Sequence, residues 1–157
     1  MKIAIGSDKS GFSAKEAIKA YLTEAGIDFD DLGTTDLEQV HPYYQVASEV
    51  APKVQDGTYD KAVLICGTGA GMCVVSNKYQ GVYAVACEGV YSAKMARAIN
   101  NANILCMGGW IVGPEMAVAM VRAFLTTEWL EGLEDWRQAN LKRFNAKVED
   151  IEEQIYG

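Results

Sequence analysis

Short apolar runs alternate with longer amphipathic segments along most of this chain. The runs have the length and composition of β-strands and cover residues 2–6, 27–32, 62–66, 82–87 and 103–107. The segments between and after them repeat apolar residues at helical spacing and cover residues 11–26, 43–55, 71–78, 92–101 and 114–126. Strict alternation of strand and helix favours a parallel sheet that helices cover on both faces. The sequence therefore predicts an α/β fold of the doubly wound, Rossmann-like class.

The order of the strands decides where such a fold could bind a ligand. We predict the order 2-1-3-4-5, which is common among five-stranded doubly wound sheets. In that order strands 1 and 3 are neighbours, and a crevice opens where their carboxyl ends diverge. Strand 1 ends in Ser7, Asp8 and Lys9, and strand 3 ends in Cys66. We therefore expect Asp8, Lys9 and Cys66 to meet at one edge of the sheet.

A charged segment of helical pattern follows the last strand-helix unit and covers residues 133–155. Its apolar line is sparse, and a helix of this kind after a complete domain often packs on a partner subunit. The chain has 157 residues, a length that suits one domain of about 100 to 200 residues. We predict a single domain over residues 1–157, with a core at 1–127 and a helical extension at 128–157.

Composition excludes several classes of partner. The chain has 21 Asp and Glu against 14 Lys and Arg, and the resulting net charge of -7 repels a polyanion, so nucleic acid is not expected. The four cysteines form no CxxC pair, which indicates reduced thiols in the cytoplasm and predicts no metal site. No apolar run approaches the ~20 residues that span a bilayer, so no membrane partner is expected.

A glycine-rich loop, Gly67-Thr68-Gly69-Ala70-Gly71, follows the third strand and opens a helix. Several backbone N–H groups of such a loop can converge on an anion beside the positive helix end. A tight turn that binds nothing explains the glycine spacing equally well. The loop lacks the Gly-Lys-Ser/Thr of a P-loop and the GxGxxG spacing of a dinucleotide site.

Cys66 lies at the start of this loop and makes the functional interpretation stronger. A thiol at a crevice edge beside a helix N-terminus is placed to accept a proton. A nucleophilic role usually needs a histidine activator, and the only histidine, His41, has no evident sequence link to Cys66. We therefore favour a general base at Cys66. Cys73, Cys87 and Cys106 are interpreted as small buried hydrophobic residues.

Seven stretches together resemble one enzyme family. They are MKIAIGSDKSGF, DLGT, LICGTGAGM, NK, YSAKMAR, NNAN and GGWIVGPEMA, in order over about residues 1–127. This pattern resembles the ribose-5-phosphate isomerase B and galactose-6-phosphate isomerase family. The resemblance implies the doubly wound fold and the interconversion of aldose and ketose sugar phosphates without a metal or organic cofactor. It also implies a homodimer or homotetramer with sites between subunits.

The resemblance assigns roles to the residues of the loop. Cys66 would remove the proton beside the substrate carbonyl and return it to the adjacent carbon through an enediolate. Thr68 and the amides of Gly69 and Gly71 would donate to the developing oxyanion, a stabilisation of about 3 to 4 kcal/mol per donor. Gly67 completes the substrate-binding loop.

Other substrate contacts lie elsewhere in the chain. Asp8 matches the acid that contacts substrate hydroxyls, and Asn100 matches the residue that holds a substrate oxygen from the second subunit. Lys9 and His41 are further candidates for substrate binding. Some relatives have a glutamate base where this chain has Met72, so Cys66 keeps the role of base.

One departure from the family pattern bears on the substrate. The family's histidine that opens the furanose ring is replaced by Ile99, which cannot transfer a proton. A tetrose with phosphate on its fourth oxygen has no ring to open, and a family branch that isomerises erythrulose 4-phosphate resembles this chain here. We therefore favour a tetrulose 4-phosphate as substrate. The alternative is a ribose-5-phosphate or galactose-6-phosphate isomerase in which His41 or Lys9 opens the ring.

The phosphate-binding group has no clear counterpart in the family pattern. Arg137, Lys142 and Arg143 are candidates, although a solvated helix face explains these cations equally well. Lys9 is better placed, because an ammonium beside the crevice can meet a phosphate as a point charge. The family's arginine in Gly-x-Arg-x-Ile-Gly is replaced by Trp110. We interpret Trp110 and Trp136 as packing or interface residues rather than as a wall of the substrate site.

Two rival functions share the same fold. A non-catalytic, sugar-phosphate-binding subunit of a hetero-oligomer would keep the crevice and lose the ring-opening histidine. A flavodoxin-like electron carrier would have a similar sheet and would need a flavin. The pair of Cys66 and Thr68 favours a working isomerase over the non-catalytic subunit, and a colourless purified protein would exclude the electron carrier.

Overall fold

A parallel β-sheet of five strands runs through the centre of the computed structural model, which describes residues 1–157. The strands in chain order are β1 (Ile3–Ser7), β2 (Phe29–Gly33), β3 (Lys61–Cys66), β4 (Ala84–Ala86) and β5 (Ile104–Gly108). Every residue of β1, β3 and β5 is buried, as expected for strands covered on both faces. The predicted α/β doubly wound class is confirmed.

The strand order is 2-1-3-5-4, so the predicted order 2-1-3-4-5 is wrong in its last two strands. A central strand of a parallel sheet needs apolar residues on both faces. All five residues of β5 meet this condition, whereas β4 has only three residues, and its last residue, Ala86, is exposed. The short strand therefore lies at the edge, and β5 pairs with β3 in a register that aligns Cys66 with Gly108.

Helices cover both faces of the sheet. They are α1 (Phe12–Glu24), α2 (Tyr43–Gln55), α3 (Ala70–Ser76), α4 (Val90–Ala98) and α5 (Pro114–Thr126). Residues of α1, α4 and α5 form one apolar cluster with Ile65 of β3, and residues of α2 and α3 form the other with Leu64 and Cys66. Alternate strand residues point to opposite faces, so Cys66 lies on the side of α2 and α3.

The last helix, α6 (Asp135–Tyr156), has no buried residue. Its carboxyl-terminal half is held by Glu152, whose carboxylate accepts hydrogen bonds from the Gly81 amide at 2.9 Å and the Tyr83 hydroxyl at 3.0 Å. Six large apolar side chains of α6 are exposed, namely Trp136, Phe144, Val148, Ile151, Ile155 and Tyr156. None of the helices combines the length and apolar composition needed to cross a lipid bilayer.

A fully buried lysine joins α1 to the end of β2. The Lys15 ammonium lies 2.6 Å from a carboxylate oxygen of Asp31 and donates to the carbonyl oxygens of Leu32 and Thr34. The Thr34 amide in turn donates to the Ser7 carbonyl at 2.8 Å, beside the crevice end of β1. Lys15 therefore holds the segment after β2 against the strand that carries Asp8.

Candidate active site

A cavity of about 310 Å³ opens at the carboxyl ends of β1 and β3, where the sequence predicts a crevice. Its lining contains five of the predicted site residues, Asp8, Cys66, Gly67, Thr68 and Gly71. The adjacency of β1 and β3 is therefore enough to bring the first strand's acid to the third strand's thiol. The lining also includes three residues without a predicted substrate role, which are Ser10, Tyr43 and Trp110.

Cys66 is the last residue of β3, and only 4% of its surface is exposed. Its Sγ accepts a hydrogen bond of 3.2 Å from the amide of Gly69. The loop therefore folds back over the sulfur and holds it in the wall of the cavity. This amide was expected to donate to a substrate oxygen, and in the structure it donates to the thiol instead.

The backbone of the loop requires glycine at position 69. Gly69 has φ +81°, a left-handed conformation, and a Cβ atom there would lie 2.8 Å from the backbone carbon of Met107. The turn directs the chain into α3, and the exposed Thr68 accepts a hydrogen bond from the Ala70 amide at 3.3 Å through Oγ1. Thr68 and Gly71, which carry the other two donors that the resemblance implies, both line the cavity.

Asp8 is half-buried at the opposite side of the cavity. Burial raises the pKa of its carboxyl group above the ordinary value, and hydrogen bonds from the amides of Gly11 and Ser10 offset part of the increase. The Gly11 amide lies 3.0 Å from Oδ1. A carboxyl group held this way is oriented by the backbone.

Asn100 does not reach this cavity within one chain. With Ile99 it lines a second cavity, of about 370 Å³, whose other walls include Tyr83 and the α6 residues Leu141 and Phe144. The structure therefore separates Asn100 from the thiol, and its assignment to a second subunit stays a prediction.

The α6 cations predicted to bind phosphate also lie outside the lining of the cavity that contains Cys66. Arg137, Lys142 and Arg143 belong to α6, where Arg137 lies 4.0 Å from Glu134 and Arg143 donates to Asn140 at 3.1 Å. These contacts are typical of a solvated helix face.

Lys9 and His41, the two candidates for ring opening, do not line the cavity. Lys9 is exposed, and the His41 amide donates to the Thr34 hydroxyl at 2.9 Å. Neither candidate for ring opening therefore faces the thiol of its own chain.

Tyr43 and Ser10 receive no role in the sequence analysis, and Trp110, which the sequence analysis interprets as a packing or interface residue, also lines the cavity. Trp110 follows β5, and β5 lies beside β3, so the segment after β5 reaches the cavity. In the predicted order, the segment after β4 would have occupied that place. The sequence contains no clear signal for this neighbour, because the predicted fourth strand, residues 82–87, is as apolar as the predicted fifth strand, residues 103–107.

The remaining cysteines differ from one another. Cys87 and Cys106 are buried, as predicted, and burial raises the pKa of both thiols. Cys73 is only half-buried, and its pKa is lowered to about 6, chiefly by a hydrogen bond from the Cys106 side chain and also by one from Asn77. The interpretation of Cys73 as a simple buried hydrophobic residue is therefore incomplete.

Comparison with known proteins identifies the family. The sequence profile of the ribose/galactose isomerase family matches residues 3–141. The chain is 53% identical over 156 residues to 4-deoxy-4-sulfo-D-erythrose isomerase from Clostridium sp. (strain MSTE9), covering 99% of this chain and 98% of that one. It is 41% identical over 154 residues to D-erythrulose-4-phosphate isomerase 2 from Mycolicibacterium smegmatis, covering 96% and 95%.

A solved structure agrees with these relatives. Ribose-5-phosphate isomerase B from Clostridium thermocellum superposes with a TM-score of 0.88 at 34% identity, over 99% of both chains. The resemblance seen in the sequence motifs is confirmed, as is the prediction of an enzyme. The chain belongs to the ribose/galactose isomerase family and is a sugar isomerase.

Proposed function

We propose that the enzyme interconverts the aldose and ketose forms of a four-carbon sugar that carries an anionic group on C4. The observation that carries the proposal is the chemistry of the cavity lining, in which the titratable side chains are Cys66, Asp8 and Tyr43. A thiol and a carboxyl group suffice for proton transfer along an open chain. A sugar blocked at C4 cannot close a five-membered ring, so it needs no ring-opening imidazole where this chain has Ile99.

The reaction begins at the carbon that bears a hydroxyl group next to the carbonyl. The Cys66 thiolate takes the proton from this carbon, and the electron pair of the C–H bond forms the enediolate. Thr68 and the Gly71 amide donate to the developing oxyanion, while Asp8 holds a neighbouring hydroxyl group. The same thiol returns the proton to the adjacent carbon, and the hydroxyl proton passes from one oxygen of the enediol to the other, so the product is an isomer of the substrate.

The anionic group on C4 has two candidate chemistries, phosphate and sulfonate. A phosphate monoester carries a charge of about -1.5 to -2 at pH 7, whereas a sulfonate carries a single negative charge. The charged side chain in the lining is the carboxyl group of Asp8, which repels a dianion more strongly than a monoanion. The 53% identity to a 4-deoxy-4-sulfo-D-erythrose isomerase also favours the sulfonate.

A panel of substrates assayed in parallel tests the proposed function. Erythrulose 4-phosphate, 4-deoxy-4-sulfoerythrulose, ribose 5-phosphate and galactose 6-phosphate are supplied at equal concentrations, and kcat/KM is measured for each. We expect one of the two tetrulose substrates to exceed ribose 5-phosphate by about 100-fold. Equal or greater activity on ribose 5-phosphate would contradict the proposal, as would a lack of activity on both tetruloses.

The position of Asn100 supports a site completed by a second copy of the chain. Cys66→Ala and Asn100→Ala each disable one contribution, and in a dimer the two contributions would come from different subunits. Random reassociation of the two inactive variants gives mixed dimers that have one intact site each. We expect about a quarter of the wild-type activity after mixing at equal amounts. No recovery in a mixture shown to exchange subunits would place both residues in the same chain's site.

A further inference from the structure

The rings of Trp110 and Tyr43 flank the loop from Gly67 to Gly71, and each ring packs against one glycine of that loop. A Cβ atom on Gly67 would lie 2.8 Å from the benzene ring of the Trp110 indole. A Cβ atom on Gly71 would lie 2.6 Å from the ring of Tyr43. Both contacts are shorter than real Cβ atoms allow, so the glycines at 67 and 71 permit the two rings to approach the loop backbone. The rings lie at opposite ends of the loop that begins at Cys66.

The Trp110 ring is mostly exposed, yet its backbone is firmly held. Its amide donates to the Gly67 carbonyl at 3.0 Å, and the Gly109 amide donates to the Cys66 carbonyl at 2.7 Å. These two hydrogen bonds hold the backbone of Gly109 and Trp110 against Cys66 and Gly67, so the indole begins close to the residue that carries the thiol. The ring has 75% of its residue surface exposed while it lines the cavity, so a flat apolar face is available to a ligand.

Tyr43 is the first residue of α2 and is 40% exposed. Its ring packs edge-on against Tyr44, with centroids 5.6 Å apart and an interplanar angle of 84°. This contact and the close approach to Gly71 orient the ring without burying it. Tyr43 therefore forms the second aromatic wall of the cavity, facing the same space as Trp110.

The two walls differ in chemistry from the rest of the lining. Aromatic faces carry negative charge density and repel an anion, whereas they accept apolar C–H surface. The polar lining consists of Asp8, Ser10 and Thr68, which can bond hydroxyl groups. A ligand in this cavity is therefore oriented with its carbon chain along the rings and its anionic end directed away from them.

We propose that Trp110 and Tyr43 determine the specificity of the site by restricting it to short, open-chain sugars. This inference rests on the proposed function and names the residues that select its substrate. A longer sugar or a closed furanose ring would need the space that the rings occupy.

Trp110→Ala removes the larger wall and tests the inference. We expect KM for the preferred tetrulose to rise about 10-fold with a smaller change in kcat, because contact with the carbon chain is lost. The ratio of kcat/KM for the tetrulose to that for ribose 5-phosphate should fall by about 10-fold or more. Trp110→Phe keeps a flat ring and should retain the wild-type ratio within about 3-fold.

Trp136→Ala is the matched control, because Trp136 is also an exposed tryptophan but lies on α6. It should leave both kinetic constants unchanged. An unchanged substrate ratio in Trp110→Ala would overturn the inference. Loss of the oligomer on size-exclusion chromatography together with an unchanged ratio would assign Trp110 to a subunit interface instead.

A binding measurement separates this inference from the proposed function. In the Cys66→Ala background turnover is slow, and 4-deoxy-4-sulfoerythrulose, erythrulose 4-phosphate and ribose 5-phosphate are titrated separately against tryptophan fluorescence. Binding of the preferred sugar should change the emission, and the change should disappear with Trp110→Phe but persist with Trp136→Phe. A fluorescence change that survives Trp110→Phe would remove Trp110 from the site, whichever sugar proves to be the substrate.

Discussion

Replacing Cys66 with alanine is expected to lower kcat by about 10² to 10⁴-fold, the contribution of a well-placed general base. The Cys66 thiol lies in the cavity wall at the end of β3, and the lining contains no second thiol. Isomerisation and exchange of the substrate proton with solvent both pass through the same proton transfer. Both should therefore be lost together, as measured by deuterium incorporation from heavy water into the sugar by NMR.

Cys73→Ala is the control that tests whether the position of a thiol or its low pKa determines which cysteine acts as the base. Cys73 has a pKa lowered to about 6 and is a thiolate above that pH, but it does not line the cavity. If acidity alone selected the base, this variant would be the inactive one. We expect Cys73→Ala to keep near wild-type exchange, and circular dichroism should show that both variants are folded. Exchange above about a tenth of the wild-type rate in Cys66→Ala would assign the base to another residue.

The parts of the site that the sequence predicts correctly are those built locally or by neighbouring strands. The loop from Gly67 to Gly71 and the thiol before it are contiguous, so their proximity needs no knowledge of the fold. Asp8 joins them because β1 and β3 are neighbours in either strand order. These features follow from strand-helix alternation and from the rule that ligands bind at the carboxyl ends of parallel strands.

The aromatic walls could not be predicted from the same rules, because they depend on long-range packing. Trp110 reaches the cavity only when β5 lies beside β3, and the expected order placed β4 there. Tyr43 opens a helix whose limits the sequence predicts correctly, but the contact of its ring with Gly71 joins two elements far apart in the chain. A glycine at position 71 indicates that another group packs closely against the backbone there, but the sequence does not identify that group as the Tyr43 ring.

Lys15 shows a second limit of pattern analysis. It lies three residues after Phe12 and three before Ile18, on the line that packs against the sheet. A charged residue at position 15 suggests an interruption of the apolar face of α1. The structure instead buries the ammonium completely and surrounds it with Asp31 and the carbonyl oxygens of Leu32 and Thr34. Its partners come from β2 and the segment after it, so helical spacing alone gives no sign of them.

Lys15→Met is expected to reduce the free energy of unfolding by about 3 kcal/mol or more. Methionine fills a similar volume but donates nothing, and each buried carbonyl left without a partner costs about 1 to 3 kcal/mol. The loss is large beside a typical total stability of about 5 to 15 kcal/mol. Urea denaturation followed by circular dichroism measures it.

Lys19→Met is the matched control, because Lys19 also contacts Asp31, at 2.6 Å, but its side chain is 26% exposed. A solvated pair contributes about 0 to 1 kcal/mol, so this variant should lose little stability. The difference between the two variants isolates the hydrogen bonds that Lys15 makes to the backbone after β2. Lys19 also pairs with Glu16 at 2.8 Å, so equal losses would show that the backbone hydrogen bonds of Lys15 add nothing beyond ion pairs, and that the segment beside Ser7 and Asp8 is held in place by other contacts.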